Sequence, residues 1–164
     1  SASPSVTNAT ELTLKQLQDH SRILELFYSL AQRLLWPFRD LLKTNTSLQQ
    51  LFVVGERIAK GAIFNCQMCG QCVLHSTGMT CPMTCPKHLR NGPCGGVRSD
   101  GNCEVNPEIT CVWVQAWERS KPMTLYGSLI TEVLPPLNHQ LTGTSAWVNY
   151  FNGAALEQPP GWVE

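Results

Sequence analysis

Apolar residues recur at helical spacing from Leu12 to Leu42, through Leu17, Leu24, Phe27, Leu30, Ala31, Leu34, Phe38 and Leu41. Steps of three and four residues predict helix. Pro37 lacks an amide donor, so the pattern predicts one helix ending near Leu35 and another starting at Pro37. Thr44 to Ser47 is a polar break, and Ser47 followed by Gln50 fits a capping box. Leu48, Leu51, Phe52, Gly55, Ile58 and Ala59 then share one face of a third helix, which Gly61 is placed to end. Such stripes ordinarily pack on one another, but two or three short helices cannot bury every apolar face and leave a surface for another subunit. Residues 1–10, mostly Ser, Thr, Asn, Ala and Pro, read as a flexible N-terminal arm, and residues 11–64 as the helical segment.

Periodicity stops at residue 65. Gly70, Gly78, Gly92, Gly95, Gly96 and Gly101 alternate with Pro82, Pro86, Pro93 and Pro107, which predicts turns rather than regular elements. Cys111 to Trp117 alternates enough for a short strand or an amphipathic turn. Residues 125–164 carry Pro135, Pro136, Pro159 and Pro160 among Trp147, Tyr150, Phe151 and Trp162, which suggests an extended arm with aromatic anchors. The expected fold class is therefore small α plus irregular: N-terminal helices, a Cys-rich, loop-dominated metal-cluster domain over 65–124, and an extended C-terminal arm.

Composition narrows the function. The 164 residues hold 12 Lys and Arg against 12 Asp and Glu, so no basic surplus exists to neutralise a phosphate backbone and nucleic acid is excluded as a general partner. Charged residues are only 15%, against roughly 25% in average soluble domains, which points to surface hidden against a partner. The apolar runs are a few residues long, far short of the about 20 that span a bilayer.

All eight cysteines fall in one stretch: Cys66, Cys69, Cys72, Cys81, Cys85, Cys94, Cys103 and Cys111. The spacing is C-x2-C-x2-C-x8-C-x3-C-x8-C-x8-C-x7-C. Three thiols within seven residues suit one centre better than they suit disulfides. A C-x2-C-x2-C run with a remote fourth thiolate is how an iron–sulfur cube is held, and in two-cluster ferredoxins the remote ligand is followed by Pro. Cys81-Pro82 and Cys85-Pro86 both have that form. Eight thiols suffice for two [4Fe–4S] clusters. Two four-cysteine zinc sites use the same count, and a disulfide framework is the third reading. Either metal reading places the chain in the cytoplasm or another reducing compartment. Cys111, beside Val112 and Trp113, is the cysteine best suited to be a buried non-ligand.

Lys87, Arg90 and Arg98, with the backbone amides of Gly70, Gly95 and Gly96, are placed to offset an anionic cluster, or are ordinary solvated groups. His75 and His88 neighbour the thiols and are able to replace one on zinc; His20 and His139 read as structural or surface residues. Glu104 and Glu108 are carboxylates within reach of proton work, with a surface role as the default. No catalytic triad, phosphate-binding loop or dinucleotide fingerprint occurs.

The stretch from Cys66 to Gly96, with Thr-Gly-Met-Thr-Cys-Pro over 77–82 and Leu-Arg-Asn-Gly-Pro-Cys-Gly-Gly over 89–96, resembles the methylenetetrahydrofolate reductase C-terminal domain family. Asp100 to Val105, Cys111 to Trp117 and Leu141 to Trp147 look like it too, so the resemblance covers roughly residues 55–150. It includes small iron–sulfur subunits of that reductase. The resemblance implies an accessory subunit that carries electrons to a catalytic partner, a flavin- and folate-binding TIM barrel, with all eight cysteines matching cysteine positions of the pattern. A barrel needs about 250 residues, so this chain is not expected to catalyse the reduction alone. A structural metal-binding module scaffolding a larger multi-subunit assembly is the alternative.

Overall fold

The computed structural model of the chain describes residues 16–157. The expected arm at residues 1–10 and the aromatic anchor Trp162 lie outside them. A helical turn at 16–19 leads into α1 (Ser21–Leu35), and a 3-10 turn at Trp36–Phe38 holds Pro37 before α2 (Arg39–Thr44). The break at Leu35 follows from the missing amide of Pro37, as the sequence predicts.

The third helix, α3 (Thr46–Phe64), starts earlier than the Ser47 capping box implies. Asn45 takes the cap, its side-chain oxygen accepting from the Leu48 N–H at 3.1 Å. Gly61 does not end the helix. Asn65, in the left-handed region at φ 50°, ends it, with its N–H on the Gly61 carbonyl and the Cys66 N–H on the Lys60 carbonyl. That cap delivers the first cysteine to its position.

Residues 66–111 carry no regular element beyond 3-10 turns at Leu74–Ser76 and Pro82–Thr84 and an isolated bridge between Asn102 and Thr110. Among the described residues there is no strand. The stretch after Cys111, a short strand or amphipathic turn on alternation, is the helix α4 (Val112–Ser120). Val112, Trp113, Ala116, Arg119 and Ser120 are buried and Trp117 is half exposed. The burial period is that of a helix, and the apparent alternation came from two faces of it. Gly78, at φ +59°, lets the loop press on this helix: a Cβ there would stand 2.3 Å from the Ala116 carbonyl oxygen.

The tail is not an extended arm. It turns at Gly127–Thr131 and His139–Leu141 and forms α5 (Ala146–Asn152). Ser145 caps α5 by accepting from the Val148 N–H, Gly153 closes it at φ 82°, and the helix packs on α2. Trp147 and Phe151 are buried with Leu42, and Tyr28, Ala31 and Phe52 pack against them. The aromatic anchors within the described residues therefore seal the chain's own core.

α1 is inverted relative to the usual amphipathic helix. Its inner stripe includes Ser21, Glu25 and Gln32. The Ser21 hydroxyl donates to the Arg119 carbonyl at 2.7 Å. The Glu25 carboxylate accepts from the N–H groups of Thr124, Leu125 and Tyr126 at 3.0, 2.8 and 2.7 Å, each such charged bond being worth about 1.5–3 kcal/mol. Its outer stripe is Ile23, Leu26, Phe27, Leu30 and Leu34, all exposed. Of the apolar positions that predicted packing, Leu24, Leu42 and Ala31 meet the core while Phe27, Leu30, Leu34, Phe38 and Leu41 face outward.

Candidate metal centre

Two cavities of similar size divide the thiols. Cys66, Cys69, Cys72 and Cys81 line the first. Cys85, Cys94, Cys103 and Cys111 line the second, and both are small, open clefts. Chain order is preserved: the first four thiols share one space and the last four the other. All eight are free thiols with no disulfide among them. Cys111, expected as the best candidate for a non-ligand, lines the second cavity with the rest of its set.

The first cavity is walled by four parts of the chain, one of them the turn that carries Cys81, Pro82 and Met83. Glu56, Lys60 and Phe64 come from α3 at successive four-residue steps, the cysteine loop supplies 66–74, and Thr144 and Ala146 close it from the start of α5. The loop is clamped from outside. The Gly143 N–H donates to the Met68 carbonyl at 2.7 Å, Asn149 Nδ2 to the Gly70 carbonyl at 2.8 Å, and Arg90 Nη1 to the Gln71 carbonyl at 3.0 Å. Gln71 is buried, its amide accepting from the Asn138 N–H and donating to the Ala155 carbonyl.

Backbone amides reach sulfur at a repeated interval. The Met68 N–H donates to Cys66 Sγ and the Gly96 N–H to Cys94 Sγ, both at 3.4 Å and both two residues on. The Met83 amide does the same for Cys81. Such bonds stabilise a thiolate. Of the expected glycine amides, Gly96 fills this role, and Met68 and Met83 supply the others. Left-handed backbone at Met68 (φ 51°) and Gly70 (φ 75°) makes the turn that spaces Cys66, Cys69 and Cys72.

Burial differs from thiol to thiol rather than from set to set. Burial pushes the Cys66 thiol up and the Cys81 thiol up to about 12, against the help of the Met68 and Met83 amides. Cys94 is exposed, and the Gly96 amide and the Lys87 ammonium hold its thiol below the ordinary value. Lys87 pairs with Glu104 at the rim of the second cavity, and Cys94 Sγ donates to the same carboxylate at 3.7 Å. Glu108 is exposed.

Of the three expected cations, Arg90 is buried against the first set. Burial lowers its pKa, while Cys69, Cys72 and Cys81 act the other way. Arg98 faces solvent, 4.0 Å from Asp100, and Lys87 serves the second set. The cation that sequence reading missed is Lys60. Its ammonium is 3.0 Å from Glu56 Oε2 and 5.3 Å from the Trp147 ring centre. Burial lowers its basicity, but Cys72, Glu56 and Cys66 outweigh that, and its pKa is raised. A signal was present: Glu56, Lys60 and Phe64 lie four apart on a helix pointing at the first cysteine.

The histidines stand apart from both cavities. His75 stacks on Tyr28 with ring centres 5.2 Å apart and meets Tyr126 edge-on at 5.6 Å; His88 is exposed. Among the described residues, no three His, Cys, Asp or Glu side chains converge as a single-ion site.

A methylene-tetrahydrofolate reductase C-terminal family model matches residues 45–140, from the start of α3 through all eight cysteines and α4. The chain belongs to that family. No match was found among curated proteins or among solved structures. α1, α2 and α5 lie outside the matched stretch, although α5 closes the first cavity.

Proposed function

We propose that the chain is an accessory iron–sulfur subunit that relays electrons to a flavin-dependent methylenetetrahydrofolate reductase. Cys66, Cys69, Cys72 and Cys81 hold one [4Fe–4S] cluster, and Cys85, Cys94, Cys103 and Cys111 hold the other. The single observation that carries this reading is the division of eight free thiols, four and four, about two cavities of similar size. The amides directed at Cys66, Cys81 and Cys94 and the cations Lys60, Arg90 and Lys87 suit an anionic polynuclear group. When bound, such clusters supply one-electron transfer at potentials set by burial, charge and hydrogen bonds. The protein positions the thiolates, leaves Cys66, Cys69 and Cys72 half-buried, and leaves the Cys94 corner of the second set open.

Family membership supports the reductase as the partner. The outer stripe of α1 supports a partner surface, because Leu26, Phe27, Leu30 and Leu34 are each more than half exposed on a charge-poor chain. Among the described residues, no helix is long and apolar enough to cross a membrane.

A structural zinc module in a larger assembly is the second reading. It draws on the same eight thiols: metal bonds would add to the packing of Leu74, Met79 and Met83 in holding the loops of 66–111. Anaerobic analysis of the full chain separates the two. About eight iron and eight sulfide per chain, with a reducible visible band and co-purification with the flavoprotein, are expected for the relay. Stoichiometric zinc without sulfide, or a native assembly containing no flavoprotein, overturns it.

A further inference from the structure

Lys60 is a buried ammonium that stands between a carboxylate and a set of thiols. Only 12% of its side chain is exposed, and it lines the cavity of the first four thiols. Glu56, its ion-pair partner, is already satisfied elsewhere. Glu56 Oε1 accepts from the Ser145 hydroxyl at 2.6 Å and the Trp147 N–H at 3.0 Å, and Oε2 from the Ala146 N–H at 3.2 Å. The carboxylate therefore spreads its charge over the first turn of α5. Among the attractions that keep Lys60 charged, Cys72 comes ahead of Glu56, and Cys66 also contributes. An ammonium inside a protein is costly unless an anion faces it. On the open side of Lys60 stand the thiols of the first set, which become anionic when they ligate a metal group.

We infer that Lys60 is the fixed countercharge of the first thiol set and raises the reduction potential of the group bound by Cys66, Cys69, Cys72 and Cys81, with Glu56 positioning the ammonium. The inference rests on the iron–sulfur reading above. Reduction by a one-electron donor adds one electron and no proton, turning the ligated dianion into a trianion. An ammonium on the cavity wall stabilises the trianion more than the dianion, and low dielectric enlarges the difference. Arg90 is a second cation at this set; its guanidinium donates to the Gln71 and Pro135 carbonyls at 3.0 and 3.1 Å, which holds the loop and fixes its charge beside the thiols. Lys87 holds the corresponding place at the second cavity, but 38% of its side chain is exposed, so water screens it where Lys60 is buried. The effect of Lys60 is thus confined to one of the two groups.

The test is a redox titration of the anaerobically loaded full chain, followed by low-temperature electron paramagnetic resonance, with iron and sulfide counted for each variant. Lys60→Met removes the charge and keeps the length; one reductive step is expected to move to more negative potential while the other stays. Lys60→Arg is expected to leave both steps near the wild-type positions. Glu56→Gln keeps the ammonium and cancels the carboxylate, and it is expected to move the same step to more positive potential. Should Lys60→Met lose its iron, Glu56→Gln decides alone. Full iron content with neither step moved, or with both moved together, overturns the role of Lys60. A wild-type chain free of iron and sulfide overturns the reading beneath it, and the inference with it.

Discussion

Asn149 donates its side-chain amide to the carbonyl of Gly70 at 2.8 Å, and to the Thr144 hydroxyl at 2.7 Å. Seventy-nine residues separate Asn149 from Gly70. The bond ties α5, beyond the stretch that matches the family, to the turn between Cys69 and Cys72. A helix in the tail thereby fixes the geometry of the first thiol set, and the tail belongs to the site.

That turn leaves no room for a side chain. Gly70 is at φ +75°, and a Cβ would stand 2.1 Å from the Leu141 carbonyl oxygen, a backbone atom that cannot swing away. Gly70→Ala combines left-handed strain of about 1–2 kcal/mol with that clash. A loss of at least about 2 kcal/mol is expected in chemical denaturation of the metal-loaded chain, with the first set losing metal before the second.

The division of thiols predicts separable lesions. Cys69→Ala is expected to cut iron to about half and to speed amide exchange over 65–83 with little change around 101–111. Cys103→Ala is expected to do the converse. Loss of all iron from either single variant would show that the two sets form one cooperative site.

Burial lowers the pKa of His75, and its Nδ1 has no hydrogen-bond partner among the described residues. The folded state prefers the neutral ring, whereas the unfolded chain takes up a proton below the ordinary value of 6.5. The contribution is therefore fully present above that value and is lost as pH falls through it towards the lower, folded pKa. His75→Phe keeps a ring against Tyr28 and Tyr126 and removes the orphaned nitrogen. Its thermal midpoint is expected to equal or exceed wild type near neutrality, by up to about 1 kcal/mol of stability, and to fall less between about pH 6.5 and 5. A parallel decline of the two proteins in acid would show that His75 is not the titrating group.

Leu30 is 59% exposed on the outer stripe of α1. Leu30→Glu is expected to change the stability of the isolated chain by no more than about 0.5 kcal/mol, since no core contact is lost. The same change is expected to abolish co-purification with the reductase flavoprotein. Undiminished co-purification would move the partner surface elsewhere.

The sequence by itself determined the number and kind of groups at the site. Eight thiols in one stretch, the C-x2-C-x2-C run and the absence of periodicity over 65–110 are statements about chemistry and spacing, and none of them depends on packing. The helix break at Pro37 was equally legible, because a missing amide acts locally. Tertiary structure alone decided which four thiols share a cavity, since that depends on how Gly- and Pro-rich loops close on one another across distances no local rule spans. It also decided the state of 112–120: Val, Trp and Val alternate in sequence, but burial against Val97 and Ile130 selected a helix. The tail folded into α5 because Ser145 and Glu56 together satisfy its first turn, and Glu56 lies ninety residues away in the chain. Most of all, it decided which face of α1 is inside. Hydrophobic period predicts a buried stripe, yet the amides of Thr124, Leu125 and Tyr126 hold Glu25 inward and turn Leu26, Phe27, Leu30 and Leu34 to the surface. Three charge-assisted bonds from a distant loop outweigh a local preference, and no reading of the helix alone contains them.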